Sequence, residues 1–413
     1  MGLKNRNRRM KKGWFVVFIL VLTVQLGYGQ KVKTGVLVIG NGNNALGAGF
    51  QSAVSGVKTI LLMENQNFEM SEGHPIDKNI SSGLEAEFLK RMRKAKGIKD
   101  TSKVYIDQTS ANAVIKTWAD STKNLTIIRT GEWSKLKRAG GGWSIQLNDG
   151  RTIRAAVLVH ADASGKVNEA LLLPKMKESQ WKALNYEDNL YRTSVSSGFS
   201  IDNSSSNVFP LYNLLIPGQE NLVVLNPDQQ SIAAGQSAGA TAAYAAFFDL
   251  KTSQSNLKKI QGELISYKLS ILPFEDVVAT DSNWKAVQFI GLSGFLKGTL
   301  SSGRLTFVPN REVSTEEIKE PIKEYFYKAQ IWFEDYKASQ MTISSTLDLV
   351  SKIGNKSPEN TLTEVKKKWK TTYGFKTEFE PSRNITRREF AVLVYEYLNP
   401  FNVNVDSKGR VVR

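Results

Sequence analysis

A chain of 413 residues, 41% apolar and 10% aromatic, is long enough for two or three domains that each bury a core, which excludes a disordered protein. Its formal charge is +16, but Lys4, Arg6, Arg8, Arg9, Lys11 and Lys12 fall in the first 29 residues with no acid, and the rest carries 49 bases against 39 acids, or +10. That surplus forms no Arg-rich helix and no basic run interleaved with aromatics, so nucleic acid is not an expected partner.

Cysteine is absent, which excludes disulfides, thiolate metal sites, a cysteine nucleophile, flavin attachment through sulfur and a lipoprotein anchor. His74 and His160 are the only imidazoles, and they lack metal-ligand spacing. There is no G-x-S-x-G elbow and no carboxylate pair suited to acid–base work.

In chain order, the basic start is followed by WFVVFILVLTVQL (residues 14–26) and the small-x-small site Gly27-Tyr28-Gly29. This predicts a signal peptide over residues 1–29, with Gln30 as the new N-terminus and a periplasmic, cell-surface or secreted product. The apolar run is short for a bilayer span. Arg8-Arg9 is followed by Met10, Lys11 and Lys12 rather than by the apolar residue of a strong twin-arginine signal, so any cofactor would be acquired after export.

Residues 30–255 show short β-branched strands and glycine turns, and residues 256–413 are richer in Lys, Glu and helical periodicity. The apolar run Gly35–Ile39 predicts a strand of a parallel sheet buried on both faces. Gly40-x-Gly42-x-x-Ala45 follows: Gly40 allows the tight turn, Gly42 lets a pyrophosphate approach the backbone, and Ala45 lets the next helix lie close to the sheet. The exposed amides at that helix start favour a phosphate. TILLME then predicts a second strand ending at Glu64, where a carboxylate accepts from a ribose hydroxyl.

Two later stretches extend the pattern. WSIQLNDGRTIRAAVLVHADASG predicts a hairpin turned at Asp149-Gly150, then a strand ending in Asp162-Ala163-Ser164-Gly165. ENLVVLNPDQQSIAAGQSAGATAAYAA (residues 220–246) predicts a strand, a short loop and a helix beginning near Gly235-Gln236. With these segments the chain resembles the FAD-dependent oxidoreductases of the two-dinucleotide fold over residues 33 to about 250. The resemblance implies an α/β fold, with a Rossmann-like FAD/NAD(P)-binding domain ahead of a mostly helical C-terminal domain. It also implies FAD as cofactor, with contacts at Gly40, Gly42, Ala45, Glu64, Gly165, Asp228 and Gln236, and hydride transfer from a small-molecule substrate to the flavin.

This sequence departs from the family in several places. NQNFEMSEGHPIDKN after Glu64 lacks the usual double glycine, Asn43-Asn44 replaces small residues or proline, and only residues 166–219 remain for a substrate region. His74, in the loop expected near the flavin, is a candidate for proton transfer. Two functions therefore stay open: an exported FAD-dependent oxidoreductase, or a non-catalytic envelope-associated binding or scaffold protein on a vestigial flavoprotein fold.

The C-terminal part repeats itself. FVPNREVSTEE (307–317) and FEPSRNITRRE (379–389) match at six positions, and their Ser-x-x-Glu and Thr-x-x-Glu are capping boxes that open amphipathic helices. With FEDV, Trp284 and GLSGFLKG upstream, residues 274 to about 332 and 341 to about 400 are similar to S-layer homology repeats. That resemblance implies binding to a cell-envelope polymer through the Thr-Arg segment, which only Ile385-Thr386-Arg387 retains.

Overall fold

The computed structural model describes residues 30–71, 81–99, 104–176, 178–199 and 205–412. The expected signal peptide, and His74 with it, lie outside the described residues.

Along the first body run β1 (Lys31–Ile39), α1 (Asn43–Val54), β2 (Thr59–Leu62), α2 (Gly83–Ala95), α3 (Gln108–Ser121), β3 (Leu125–Ile128), β4 (Trp133–Ala139), β5 (Gly142–Leu147) and β6 (Thr152–His160). After them come α4 (Lys166–Leu171), β7 (Lys182–Ala183), β8 (Ser194–Phe199), β9 (Ser206–Pro210), β10 (Leu222–Val224) and α5 (Ile232–Phe247). β3, β2, β1, β6 and β10 are parallel neighbours, while β5 and β4 continue antiparallel from the first half of β6. This is the expected Rossmann-like sheet with a β-meander. Val36, Leu37 and Val38 are fully buried because helices cover one face of the parallel strands and the meander covers the other.

Small residues decide how α1 meets α5. A Cβ on Gly47 would collide with the Ile232 carbonyl, one on Gly235 with that of Asn44, and one on Gly239 with that of Ala48. The two backbones are therefore in direct contact, and Ser52 Oγ donates to the Gly239 carbonyl at 3.0 Å across the seam. Gly235, expected near a helix start, is inside α5: Ser231 is the N-cap, accepting from Ala234 N–H at 3.2 Å. The reduced substrate region is a three-stranded antiparallel sheet in the order β7-β9-β8.

The remaining chain is helical apart from the hairpin of β11 (Thr299–Ser301) and β12 (Arg304–Thr306). It contains α6 (Leu257–Ser266), α7 (Trp284–Ser293), α8 (Thr315–Tyr325), α9 (Tyr327–Asp335), α10 (Ile343–Gly354), α11 (Pro358–Thr371) and α12 (Arg387–Tyr397). The two expected capping boxes form at Ser314–Glu317 and Thr386–Glu389, and a third forms at Thr342–Ser345. The residues before the three caps close a ring: Val313 N–H donates to Ile385 O (3.0 Å), Ile385 N–H to Met341 O (2.9 Å) and Met341 N–H to Val313 O (2.9 Å). A second set of bonds, running round the modules in the opposite sense, joins Thr315 N–H to Ser339 O, Ile343 N–H to Arg383 O and Arg387 N–H to Arg311 O. Sequence comparison finds two copies because the middle one has Asp335, Lys337, Ser339 and Ser345 where the others have Phe, Pro, Arg and Glu.

Candidate functional site

The glycine turn lies where the carboxyl ends of β1 and β6 meet, the place where α/β sheets take ligands. Gly40 has φ 148° and faces Ala161 so closely that a Cβ would strike the Ala161 carbonyl, so only glycine fits. Gly42 caps α1 without a side chain, leaving the first-turn amides to an outside acceptor. Ala45 is fully buried at the helix start.

That acceptor comes from the chain itself. Gln230, in the loop between β10 and α5, turns its Oε1 onto the Asn44 N–H at 3.1 Å, and a Cβ added to Gly42 would collide with the same oxygen. Gln230 Nε2 donates back to Pro227 O at 3.0 Å. A side-chain amide oxygen thus stands where a pyrophosphate oxygen would approach the helix amides. Asn44, fully buried, ties the same two segments together: its Nδ2 donates to Asn226 O at 3.1 Å and its Oδ1 accepts from Ser231 N–H at 2.9 Å. The starts of α1 and α5 are therefore bound to each other. Along the turn, Gly42 pairs with Glu69, Glu69 N–H donates to Asn41 O at 2.8 Å, and Ser71 N–H donates to Asn43 Oδ1 at 3.3 Å.

The ribose side is also engaged. Glu64, just beyond β2, accepts from Lys166 Nζ at 2.8 Å, and the same ammonium lies 4.5 Å from the Trp133 ring centroid. Gly165, at φ 85°, is the N-cap of α4 and has open space around it. Asp162 caps that helix from inside, accepting from Ser164 N–H at 2.8 Å and Val167 N–H at 3.2 Å.

Asp228 is exposed, and its backbone N–H is held by Asn226 Oδ1 at 3.0 Å. Gln236 is fully buried away from the turn, accepting from Leu84 N–H at 2.9 Å and donating to Gln51 Oε1 at 2.8 Å, so it fixes the start of α2. His160 accepts from Asp162 N–H through Nδ1 at 3.2 Å, which leaves Nε2–H to donate to Asn168 at 2.7 Å. Burial holds its pKa below the usual histidine range, so it is a neutral interior group.

The structure brings Gly40, Gly42, Ala45 and the Asp228–Gln230 loop together at one turn, sets Glu64 and Gly165 at a neighbouring edge, and removes Gln236 into the helix interior. Gln230, Lys166 and Gln180 were not found from sequence. Gln180 locks the loop after β10 by donating to Asn213 O (2.6 Å) and Val224 O (2.9 Å) and accepting from Asn226 N–H (2.7 Å). Asn44 was the available signal, but its partners Asn226, Gln230 and Ser231 lie more than 180 residues away.

In this arrangement the described residues do not fit a dinucleotide held at the expected positions: the Asn44 amide is satisfied by Gln230, the approach over Gly42 is filled by the same side chain and Glu64 is paired with Lys166. Among the described residues there is also no cluster of three or more potential metal ligands. In the helical body, Arg387 is buried and donates to Phe307 O (2.8 Å) and Lys297 O (2.7 Å) and pairs with Glu317, so the Thr-Arg segment is used internally.

The chain matches no protein-family profile and no curated protein sequence. Among solved structures it is similar to p-nitrophenol 4-monooxygenase from Pseudomonas putida, at 10% identity over 57% of this chain and 84% of that one, with a TM-score of 0.32. A flavoprotein/dehydrogenase from Cytophaga hutchinsonii shares 19% identity over 36% of this chain and 44% of its own, with a TM-score of 0.28. Thioredoxin reductase from T. acidophilum shares 17% over 31% and 34%, with a TM-score of 0.20. The chain thus spans less than half the length of the latter two; its mixed α/β fold, with a Rossmann-like parallel sheet and a helical C-terminal region, is seen in its own elements.

Proposed function

We propose that this chain is a non-catalytic, exported binding or scaffold protein of the cell envelope, built on a flavoprotein-type fold whose dinucleotide cradle is filled by its own side chains. The observation that carries this reading is Gln230 Oε1, seated over Gly42 and hydrogen-bonded to the Asn44 amide. A phosphate would have to displace both that bond and the side chain. In the same reading the three-module helical body makes the contact with envelope polymer, without Arg387 as a ligand.

The test is to purify the chain from Gln30 onward, which contains every described element, and to record its visible spectrum during titration with FAD. No flavin absorbance and no binding at micromolar FAD is the expected result. Gln230→Gly empties the cradle and exposes the Asn44 amide, so weak FAD or ADP binding gained by that variant supports the assignment. Flavin retained by the unmodified protein would falsify it.

A second reading, an exported FAD-dependent oxidoreductase acting on a small substrate, keeps one observation in its favour. The β1–α1–β2 unit has glycine where only glycine fits and a carboxylate at the ribose position. That reading requires Gln230 to turn away and Lys166 to release Glu64.

A further inference from the structure

Positive charge without matching acid gathers at the end of the sheet opposite the glycine turn. There β1, β6, β5 and β4 pair residue by residue: Lys33 with Arg154, Arg154 with Ser144, and Ser144 with Lys137. Two residues along, Lys31 pairs with Thr152, Thr152 with Gln146, and Gln146 with Lys135. Paired residues share a face, so Lys31, Lys33, Lys135, Lys137 and Arg154 stand on one side of a sheet four strands, or about 14 Å, wide. All five are exposed, and among the described residues none forms an ion pair. The nearby acids are fewer than the cations. Arg151 holds Asp149, Asn148 donates to Glu132, Ser253 donates to Glu220, and Glu220 and Asp249 line the cleft that Lys33, Arg138, Arg154 and Lys251 share.

Beside this face α5 ends in two exposed aromatic rings. The Cβ that Gly35 lacks would lie 3.6 Å from Ala246 Cβ, which sets the end of α5 against β1. Phe247 and Phe248 follow, 65% and 54% exposed, with ring centroids 5.0 Å apart. The next residues, Asp249 to Lys251, line a cleft of about 590 Å³ together with Lys33, Arg138 and Arg154. Rings and cations thus share one surface.

We propose that this surface seats the protein on an anionic lipid bilayer, with the five cations against headgroups and Phe247 and Phe248 entering the interface. A soluble polyanion would satisfy the lysines but offers nothing to two exposed phenylalanines, whereas a bilayer satisfies both.

The experiment is co-sedimentation of the chain from Gln30 onward with vesicles of phosphatidylcholine alone, or of phosphatidylcholine and phosphatidylglycerol in equal parts. Binding to the anionic vesicles only is expected, fading with salt as the Debye length falls from about 10 Å at 0.1 M to about 3 Å at 1 M. Each cation removed in the series Lys33→Gln, Lys137→Gln and Arg154→Gln should lower partitioning roughly five-fold. Phe247→Ser with Phe248→Ser should weaken binding at high salt more than at low salt. All these positions are exposed, and an unchanged melting temperature shows that each variant folds. No binding to anionic vesicles overturns the proposal, as does binding that survives the triple variant. Retention on heparin that is indifferent to the phenylalanine changes, without vesicle binding, would overturn it in favour of a soluble polyanion.

Discussion

Asn43 and Asn44 are neighbours in sequence with very different roles, and Asn44→Ala against Asn43→Ala makes a sharp test of the closed turn. Asn44 is fully buried and links the starts of α1 and α5 through hydrogen bonds of 3.1 and 2.9 Å. Truncation removes two bonds worth about 1 kcal/mol each and strands the Asn226 carbonyl and Ser231 N–H, while alanine returns a few tenths through helix propensity. The expected net loss is about 2–4 kcal/mol. If roughly 380 residues unfold together, about 2.1 cal/mol/K per residue gives about 0.8 kcal/mol/K, so the melting temperature should drop by about 3–5 °C. Asn43 is partly exposed and accepts one bond at 3.3 Å, so its truncation should cost under about 1 kcal/mol. Differential scanning calorimetry with and without FAD reads both effects. Equal shifts for the two variants would refute the bridge between the helix starts, and a wild-type melting point raised by FAD would refute the filled cradle.

Two further outcomes follow from buried charges. Arg387→Ala should destabilise the helical body by about 2–4 kcal/mol, because it strands the Phe307 and Lys297 carbonyls and leaves Glu317 to Arg311 alone; an unchanged melt with lost envelope binding would contradict its internal role. Lys258 is buried beside the Phe401 ring, and desolvation together with the charge of Arg192 lowers its pKa from 10.5 to about 7. Below about pH 7 both folded and unfolded states carry the proton and its cost is constant. Between about 7 and 10.5 the unfolded state binds more protons, so stability should rise with pH, and urea titrations of Lys258→Met should show that slope flattened.

The strand and glycine frame of the first body was legible because each position has a local reason: apolar continuity for β1, backbone clearance at Gly40, and small side chains where α1 meets α5. The start of α5 was misplaced by three residues. Gly235-Gln236 looked like a helix opening, whereas the glycine is there for contact with the Asn44 carbonyl and the cap is Ser231. The filling of the cradle could not be read, since Gln230 is an ordinary loop residue until the fold carries it to Gly42. The Thr-Arg segment shows the same limit. The repeat resemblance implied a ligand surface there, and only packing reveals that Arg387 points inward. The third module was not legible because Asp335, Lys337 and Ser339 replace the Phe, Pro and Arg of the other two, and a serine hydroxyl closes its capping box in place of a carboxylate.

The rings of hydrogen bonds through Val313, Met341 and Ile385 have a consequence for how the helical body comes into being. In a linear solenoid each unit leans on its neighbour, and a partial array can stand. Here the partners of the earliest unit reside in the latest: Val313 waits for Ile385, and Arg387 reaches back to Arg311. Such circular dependence raises the share of distant contacts, which slows assembly, and it makes loss of any unit a loss for all three. A chain halted before residue 385 would hold every earlier helix and still lack the closure that makes them one body.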